Sequence, residues 1–177
     1  MKTIRTFTIA SMILALCSCT KSKLEVTYNN QESKIDSYIA SKGEEYRSLR
    51  IGGSNRLILK EGEGEELQAD GFVSFYYAGY TFTSGFSQSN LFVTNHQPTA
   101  EQANWNLTDA DYQIYETNLK DAKLIPGLKD GLLGVKAGEE CEILFSGKYG
   151  FGNENFGIIP ANSALLYKSW VVGVAND

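Results

Sequence analysis

The stretch Leu124–Val172 constrains this chain most, because glycine, proline and period-two hydrophobicity change along it in a set order. Pro126 suits the first turn of a helix, where its missing N–H would find no intrahelical partner in any case. Gly131 and Gly134 follow so closely that this helix must be short. A turn through Lys136-Ala137-Gly138 leads into Glu140–Phe145. There Cys141, Ile143 and Phe145 alternate with Glu140, Glu142 and Leu144, which predicts a half-buried strand with the first set facing inward. Gly147, Gly150, Gly152 and Gly157 punctuate an aromatic loop from Tyr149 to Phe156, and Ile158-Ile159-Pro160 closes it. Ala164–Val172 reads as a final strand. Short helix, strand, glycine–aromatic loop and strand together make a segment suited to building a pocket.

The order of these pieces resembles the C-terminal half of FKBP-type peptidyl-prolyl isomerases. The residues that carry the likeness are Ile125-Pro126-Gly127, Gly131-Leu132, Gly134 through Gly138, Tyr149-Gly150-Phe151-Gly152, Gly157-Ile158-Ile159-Pro160 and Leu165-Leu166-Tyr167. Upstream, Gly71–Tyr80 is the second anchor. Val73, Phe75 and Tyr77 share one face by alternation, and Gly79 stands where the family has a tightly packed glycine.

The resemblance implies an α+β fold: an antiparallel β-sheet curled around one short α-helix, with an N-terminal helical extension. It also implies an aromatic box for a proline ring, made by Tyr77, Phe92, Leu128, Phe151, Ile159 and Tyr167, with the backbone N–H of Ile125 as donor. Val93, Tyr112, Leu124 and Ile158 are the further substrate-binding residues it implies. Three positions depart from the family pattern: Val93 stands where an aspartate is usual, Phe151 replaces a tyrosine, and Leu128 replaces a tryptophan. Ser84–Asn90 and His96–Asn106 read as insertions, the second with a short helix from Thr99 capped by Gln102, and Tyr112–Tyr115 as the strand that follows.

The amino terminus carries a separate signal. Lys2 and Arg5 precede an apolar run, Phe7–Leu16, which is too short to span a bilayer as a mature helix. Leu16-Cys17-Ser18-Cys19 fits a bacterial lipobox, so residues 1–18 are expected to be a lipoprotein signal peptide and Cys19 the lipidated residue; an ordinary secretory peptide is the alternative. Removing residues 1–18 takes away Lys2 and Arg5 and no acid, moving the net charge from −5 to −7. Such an acidic chain without a basic run is poorly suited to nucleic acid. Its attachment to a membrane would therefore be the lipid, at about 0.8 kcal/mol per buried CH₂. With Cys17 removed and Cys19 modified, Cys141 stands alone on the inward face of a strand, where a thiol behaves as a small hydrophobe.

Residues 19–30 read as a tether and 31–52 as a helical extension, in which Ile35, Tyr38 and Ile39 recur at helical spacing. That helix either packs on the domain or mediates a dimer contact. Gly52-Gly53 reads as a boundary, Arg56–Lys60 as a strand, and 53–177 as the isomerase domain.

Other chemistries fail on inventory. The sole histidine, His96, lies in an insertion, so a Ser-His-Asp or Cys-His arrangement has little to stand on. There is no CxxC pair for zinc, and Asp109-Ala110-Asp111 lacks the glycine and distal Glu of a calcium loop. Gly147-Lys148-Tyr149 is no P-loop, since tyrosine replaces the metal-binding hydroxyl residue. No metal and no cofactor are expected. The expected function is isomerisation of prolyl bonds in exported, proline-containing polypeptides by a membrane-anchored lipoprotein of the cell envelope, on the periplasmic or outer-membrane side. A binding-only module of the same fold is the alternative, and a β-rich surface lipoprotein is the third reading.

Overall fold

The computed structural model describes residues 4–176, with side chains from Ser22 onward. The side chains of the expected signal segment Met1–Ser18 and of the lipidation site Cys19 lie outside the described residues. In chain order the elements are helix α1 (Ile4–Ser41), β1 (Arg47–Ile51), β2 (Ser54–Lys60), β3 (Phe72–Phe82), β4 (Leu91–Thr94), α2 (Gln97–Gln102), β5 (Tyr115–Asn118), α3 (Pro126–Leu132), β6 (Glu140–Phe145) and β7 (Ala164–Ala175). The strands form one sheet in the order β1-β2-β6-β7-β3-β4, every pair antiparallel, and β5 shares with β4 the outer edge of β3.

The short helix expected after Ile125 is α3, with Pro126 in its first turn. It lies on the inner face of the sheet, and Gly127 and Gly131, one turn apart, set how close it comes. A Cβ on Gly127 would stand 2.2 Å from the Phe145 ring, and one on Gly131 2.1 Å from Ile143. Any larger residue would push α3 off β6. The helix also ends against a buried cation. Arg56 donates to the carbonyls of Gly131, Leu133 and Gly134 at 3.0, 2.8 and 3.2 Å, which satisfies groups that a helix C-terminus otherwise leaves unpaired. Its Nε lies 3.3 Å from Glu139 Oε1, and both side chains are buried. Removing either partner would strand the other charge in the core, at a cost of about 3–5 kcal/mol.

The strand Glu140–Phe145 is not half-buried. Cys141, Ile143 and Phe145 face α3 as expected, but Glu142 and Leu144 are buried too, because α1 covers the opposite face of the sheet. Ile35 and Tyr38 of α1 pack with Ala78, Tyr80, Phe82, Leu144, Ala164 and Leu166 in a second core. The helix therefore packs on the domain.

The expected boundaries move. Residues 19–30, read as a tether, are helical as part of α1, and Tyr28 is bonded to the domain through Asn162. The extension expected over 31–52 ends as a helix at Ser41. Arg47–Ile51 is instead the edge strand β1, paired with β2 across a turn at Gly52-Gly53, so those glycines mark a hairpin inside the domain and not its boundary. The helix in the second insertion starts at Gln97, with Pro98 in its first turn. Finally, β7 continues to Ala175 because β3 pairs with it along its whole length.

Candidate active site

Alternation along β3 puts Phe75 and Tyr77 on the inner face, with Phe75 buried and Tyr77 partly open. The adjoining strand β4 breaks its own alternation. Gly79 opposes Val93 and Tyr80 opposes Leu91, so Phe92 is an extra residue in the ladder. The bulge turns consecutive side chains, Phe92 and Val93, toward the same cavity. The segment leading into α3 adds Leu124 and Ile125, the first turn of α3 adds Leu128, and β7 adds Tyr167.

The fourth wall is the glycine–aromatic loop between β6 and β7. Its tip is a tight hairpin in which Phe156 and Ile159 exchange backbone hydrogen bonds at 3.0 and 2.9 Å around Gly157-Ile158. Ile159 points into the core, whereas Phe156 and Ile158 stay exposed at the rim, 62% and 79%. Phe151 stacks on Phe156 with ring centres 4.7 Å apart and meets Phe92 edge-on at 6.2 Å. Tyr167 continues the aromatic wall, 5.8 Å from Phe92 and 6.4 Å from Tyr77. These groups enclose a cavity of about 500 Å³, a size that takes a small-molecule or side-chain guest.

The cavity is apolar with few polar atoms. Among the described residues no backbone carbonyl engages the backbone N–H of Ile125. Burial, aided by the neighbouring Tyr77 phenol, pushes the Tyr167 phenol well above the ordinary range, so it stays protonated and can donate. Burial and the nearby Tyr115 raise Tyr77 in the same sense. Among the described residues Lys123, at the mouth, is the one charged side chain in the lining. Among the described residues no cluster of histidine, cysteine or carboxylate side chains could hold a metal ion.

The cavity brings together Tyr77, Phe92, Val93, Leu124, Ile125, Leu128, Phe151, Ile158, Ile159 and Tyr167. It leaves out Tyr112. That residue sits in a one-turn 3₁₀ helix, Asp109–Tyr112, capped reciprocally by Thr108 and Asp111, so the following strand starts at Tyr115 and not at Tyr112. The Thr108-x-x-Asp111 spacing was a readable sign of that turn. Tyr115 takes the place in the lining expected of Tyr112, with its ring 5.5 Å from Phe75 and 6.2 Å from Tyr77. Phe75, Lys123, Phe156 and Gly157 also line the cavity. Phe75 was reachable from its alternation with Tyr77, and Phe156 from its place in the aromatic loop; Lys123 has no signal beyond its position next to Leu124.

A single short helix against the inner face of an antiparallel sheet, with an aromatic-walled cavity where helix, sheet and loop meet, defines a class of small α+β folds. Residues 64–169 match the FKBP_C family, FKBP-type peptidyl-prolyl cis-trans isomerase, and the chain belongs to that family. FK506-binding protein 1 of Aspergillus oryzae is 26% identical over 121 residues, covering 66% of this chain and 93% of that protein. The peptidyl-prolyl cis-trans isomerase FKBP9 of Homo sapiens is 31% identical over 93 residues, which is 51% of this chain and only 16% of the human protein's length. Among solved structures, FkpA from Escherichia coli superposes with a TM-score of 0.56 at 18% identity, covering 98% of this chain and 73% of its own. A peptidyl-prolyl cis-trans isomerase from Pseudomonas syringae pv. tomato gives 0.60 at 16% identity, covering 86% and 96%. At these identities the structures share the fold.

Proposed function

We propose that this protein catalyses cis–trans isomerisation of Xaa-Pro bonds in exported polypeptides while anchored in the cell envelope through lipidated Cys19. The observation that carries the isomerase reading is the cavity: about 500 Å³ within apolar walls, with Tyr167 and Ile125 in its lining and no backbone carbonyl engaging the Ile125 N–H among the described residues. Rotation about a peptide bond is opposed by amide resonance, with a barrier of about 18–20 kcal/mol. The twisted amide has lost that resonance, and its carbonyl is less well hydrated than the planar one. Dry aromatic walls that seat the pyrrolidine ring therefore favour the twisted form, while the Ile125 N–H holds the substrate backbone in register. Each 1.36 kcal/mol or so of such preference is a tenfold gain in rate.

The test is an NMR exchange measurement on Xaa-Pro peptides with the purified protein. Acceleration is expected, strongest with an apolar residue before proline because Leu124, Leu128 and Ile159 are apolar, and Tyr167→Ala should reduce it. Exchange no faster than in buffer would leave the second reading, a module that grips apolar or proline-containing segments without catalysis. The specific observation favouring that reading is the lack of any carboxylate in the lining, together with the exposed Phe156 and Ile158 at its rim. The envelope placement rests on the amino-terminal sequence: intact protein should partition with membranes and Cys19→Ala should not, and an unmodified mature N-terminus would refute it.

A further inference from the structure

The loop that carries Phe151, Phe156 and Ile159 to the cavity leaves the sheet at Gly147 and returns at Asn162. Its two ends nearly touch: a Cβ on Gly147 would stand 2.2 Å from the Asn162 carbonyl oxygen. Such a closed neck is the mark of an Ω-loop, whose shape depends on how its ends are held. Among the described residues no backbone hydrogen bond joins Gly147 to Asn162. A side chain from another element does so instead. Gln31, on α1, donates from Nε2 to the Asn162 carbonyl at 2.7 Å and accepts the Gly147 N–H on Oε1 at 2.9 Å. One turn away, the Tyr28 hydroxyl donates to Asn162 Oδ1 at 2.7 Å.

Asn162 repays close holding, since it sits at φ 58°, a conformation few side chains other than asparagine adopt readily. Its own N–H reaches back inside the loop to the Gly152 carbonyl at 2.7 Å. The placement of Gln31 follows from the helix. Tyr28, Gln31, Ile35 and Tyr38 fall at spacings of three and four, so they share one face. Ile35 and Tyr38 bury that face on the sheet. The same face then delivers Tyr28 and Gln31 to the point where β6 ends and β7 begins.

We infer that Gln31 is a positioning residue for the cavity, and that docking of α1 sets the loop bearing Phe151 and Ile159; this rests on the isomerase reading for its functional consequence. Ile159 and Phe151 tie the loop to the cavity walls, while Phe156 and Ile158 stay exposed at its tip, so the hold on its neck adds to how it is ordered. Lifting α1 from the sheet loosens one wall of the site without touching a residue that lines it.

The test compares the full chain with Gln31→Met, which keeps length and helix propensity but loses both bonds. It also uses Gln31→Glu, which keeps the acceptor for Gly147 and loses the donor to Asn162. Amide hydrogen exchange at Gly147, Gly150 and Ile159 should quicken about tenfold in Gln31→Met, and less in Gln31→Glu. The β6 amides should stay within about threefold of wild type, because the two sheet cores are untouched. KM for an Xaa-Pro peptide should rise several-fold while kcat changes little. Unchanged loop amides would overturn the inference, as would equal acceleration throughout the domain, which marks a merely structural role. A loosened loop with unaltered KM would overturn its functional half. If the wild type does not catalyse exchange at all, the isomerase reading falls; loop exchange and peptide binding by shift titration then decide the positioning role of Gln31 on their own.

Discussion

The Tyr38 hydroxyl donates to Glu142 Oε2 at 2.7 Å, joining α1 to the middle of the sheet at a buried carboxylate. Lys168 Nζ stands 3.6 Å from the other oxygen of Glu142 and 3.8 Å above the ring of Phe86, which the first insertion brings over this face. Burial first, and then the Glu142 carboxylate, pushes the Tyr38 phenol well above its ordinary range, so it remains a donor at all working pH values. The outer face of the sheet is thus closed by a helix at one place and an inserted loop at another.

Tyr38→Phe should lower stability by about 1–3 kcal/mol, the cost of leaving a buried acceptor short of a donor. Its ring still packs on Phe82, 5.4 Å away. Denaturant unfolding should show a lower midpoint at unchanged slope. Tyr38→Ala should cost more, since it also empties space beside Ile35 and Leu144. A midpoint equal to wild type in Tyr38→Phe would show that Lys168 alone satisfies Glu142.

His96 stacks on Trp170 with ring centres 3.8 Å apart and planes 12° from parallel. Burial lowers its pKa from the ordinary 6.5, against a weaker upward pull from Glu140. Because the folded pKa is depressed, the unfolded chain binds the proton more readily. The stabilisation linked to neutral His96 is therefore present above about pH 6.5 and lost as pH falls through the folded value. His96→Gln should flatten that part of the stability–pH curve. An identical slope in the variant would assign the dependence to other groups.

Cys141 is 1% exposed on the inner face of β6. Burial pushes its thiol far above the ordinary range, so almost no thiolate forms at neutral pH. A thiol reagent should modify it only at the rate of unfolding, and at once in denaturant. Rapid labelling of native protein would show that β6 opens locally.

Val93 and Phe151 both line the cavity, one from the β4 bulge and one from the loop. If they occupy the places of the family's acid and tyrosine, Val93→Asp with Phe151→Tyr should raise affinity for the macrolide inhibitors of this family. Each restored hydrogen bond should add about 0.5–1.5 kcal/mol, and more than additively if both groups orient one ligand. A new buried carboxylate without a partner costs stability, so melting is followed beside binding. A folded double variant with unchanged affinity would place the family's acid elsewhere than at Val93.

Local rules carried the reading of Glu140–Phe145 to its limits, and gave α3 its start at Pro126 and its shortness. Alternation, and glycine and proline punctuation, act over a few residues and leave their mark in the sequence. Where a local rule was overridden, the cause is visible. Alternation would send Phe92 and Val93 to opposite faces, and only the mismatch with β3 turns both inward. Lys123 and Phe156 join the site beside residues already expected there, Leu124 and Ile158.

From its sequence alone this chain had determined the order of its last helix and strands, the inward set Cys141, Ile143 and Phe145, and most of the side chains that wall the cavity. The tertiary structure decided what covers the other face. Glu142 and Leu144 look like a solvent-facing pair until Ile35 and Tyr38 arrive from the opposite end of the chain. It also decided that Tyr28, read as part of a tether, and Gln31, read as the start of the helical extension, hold the neck of the pocket loop. Contacts between such distant residues depend on how whole faces pack, and a side-chain period records only that a face is apolar, not which partner will bury it.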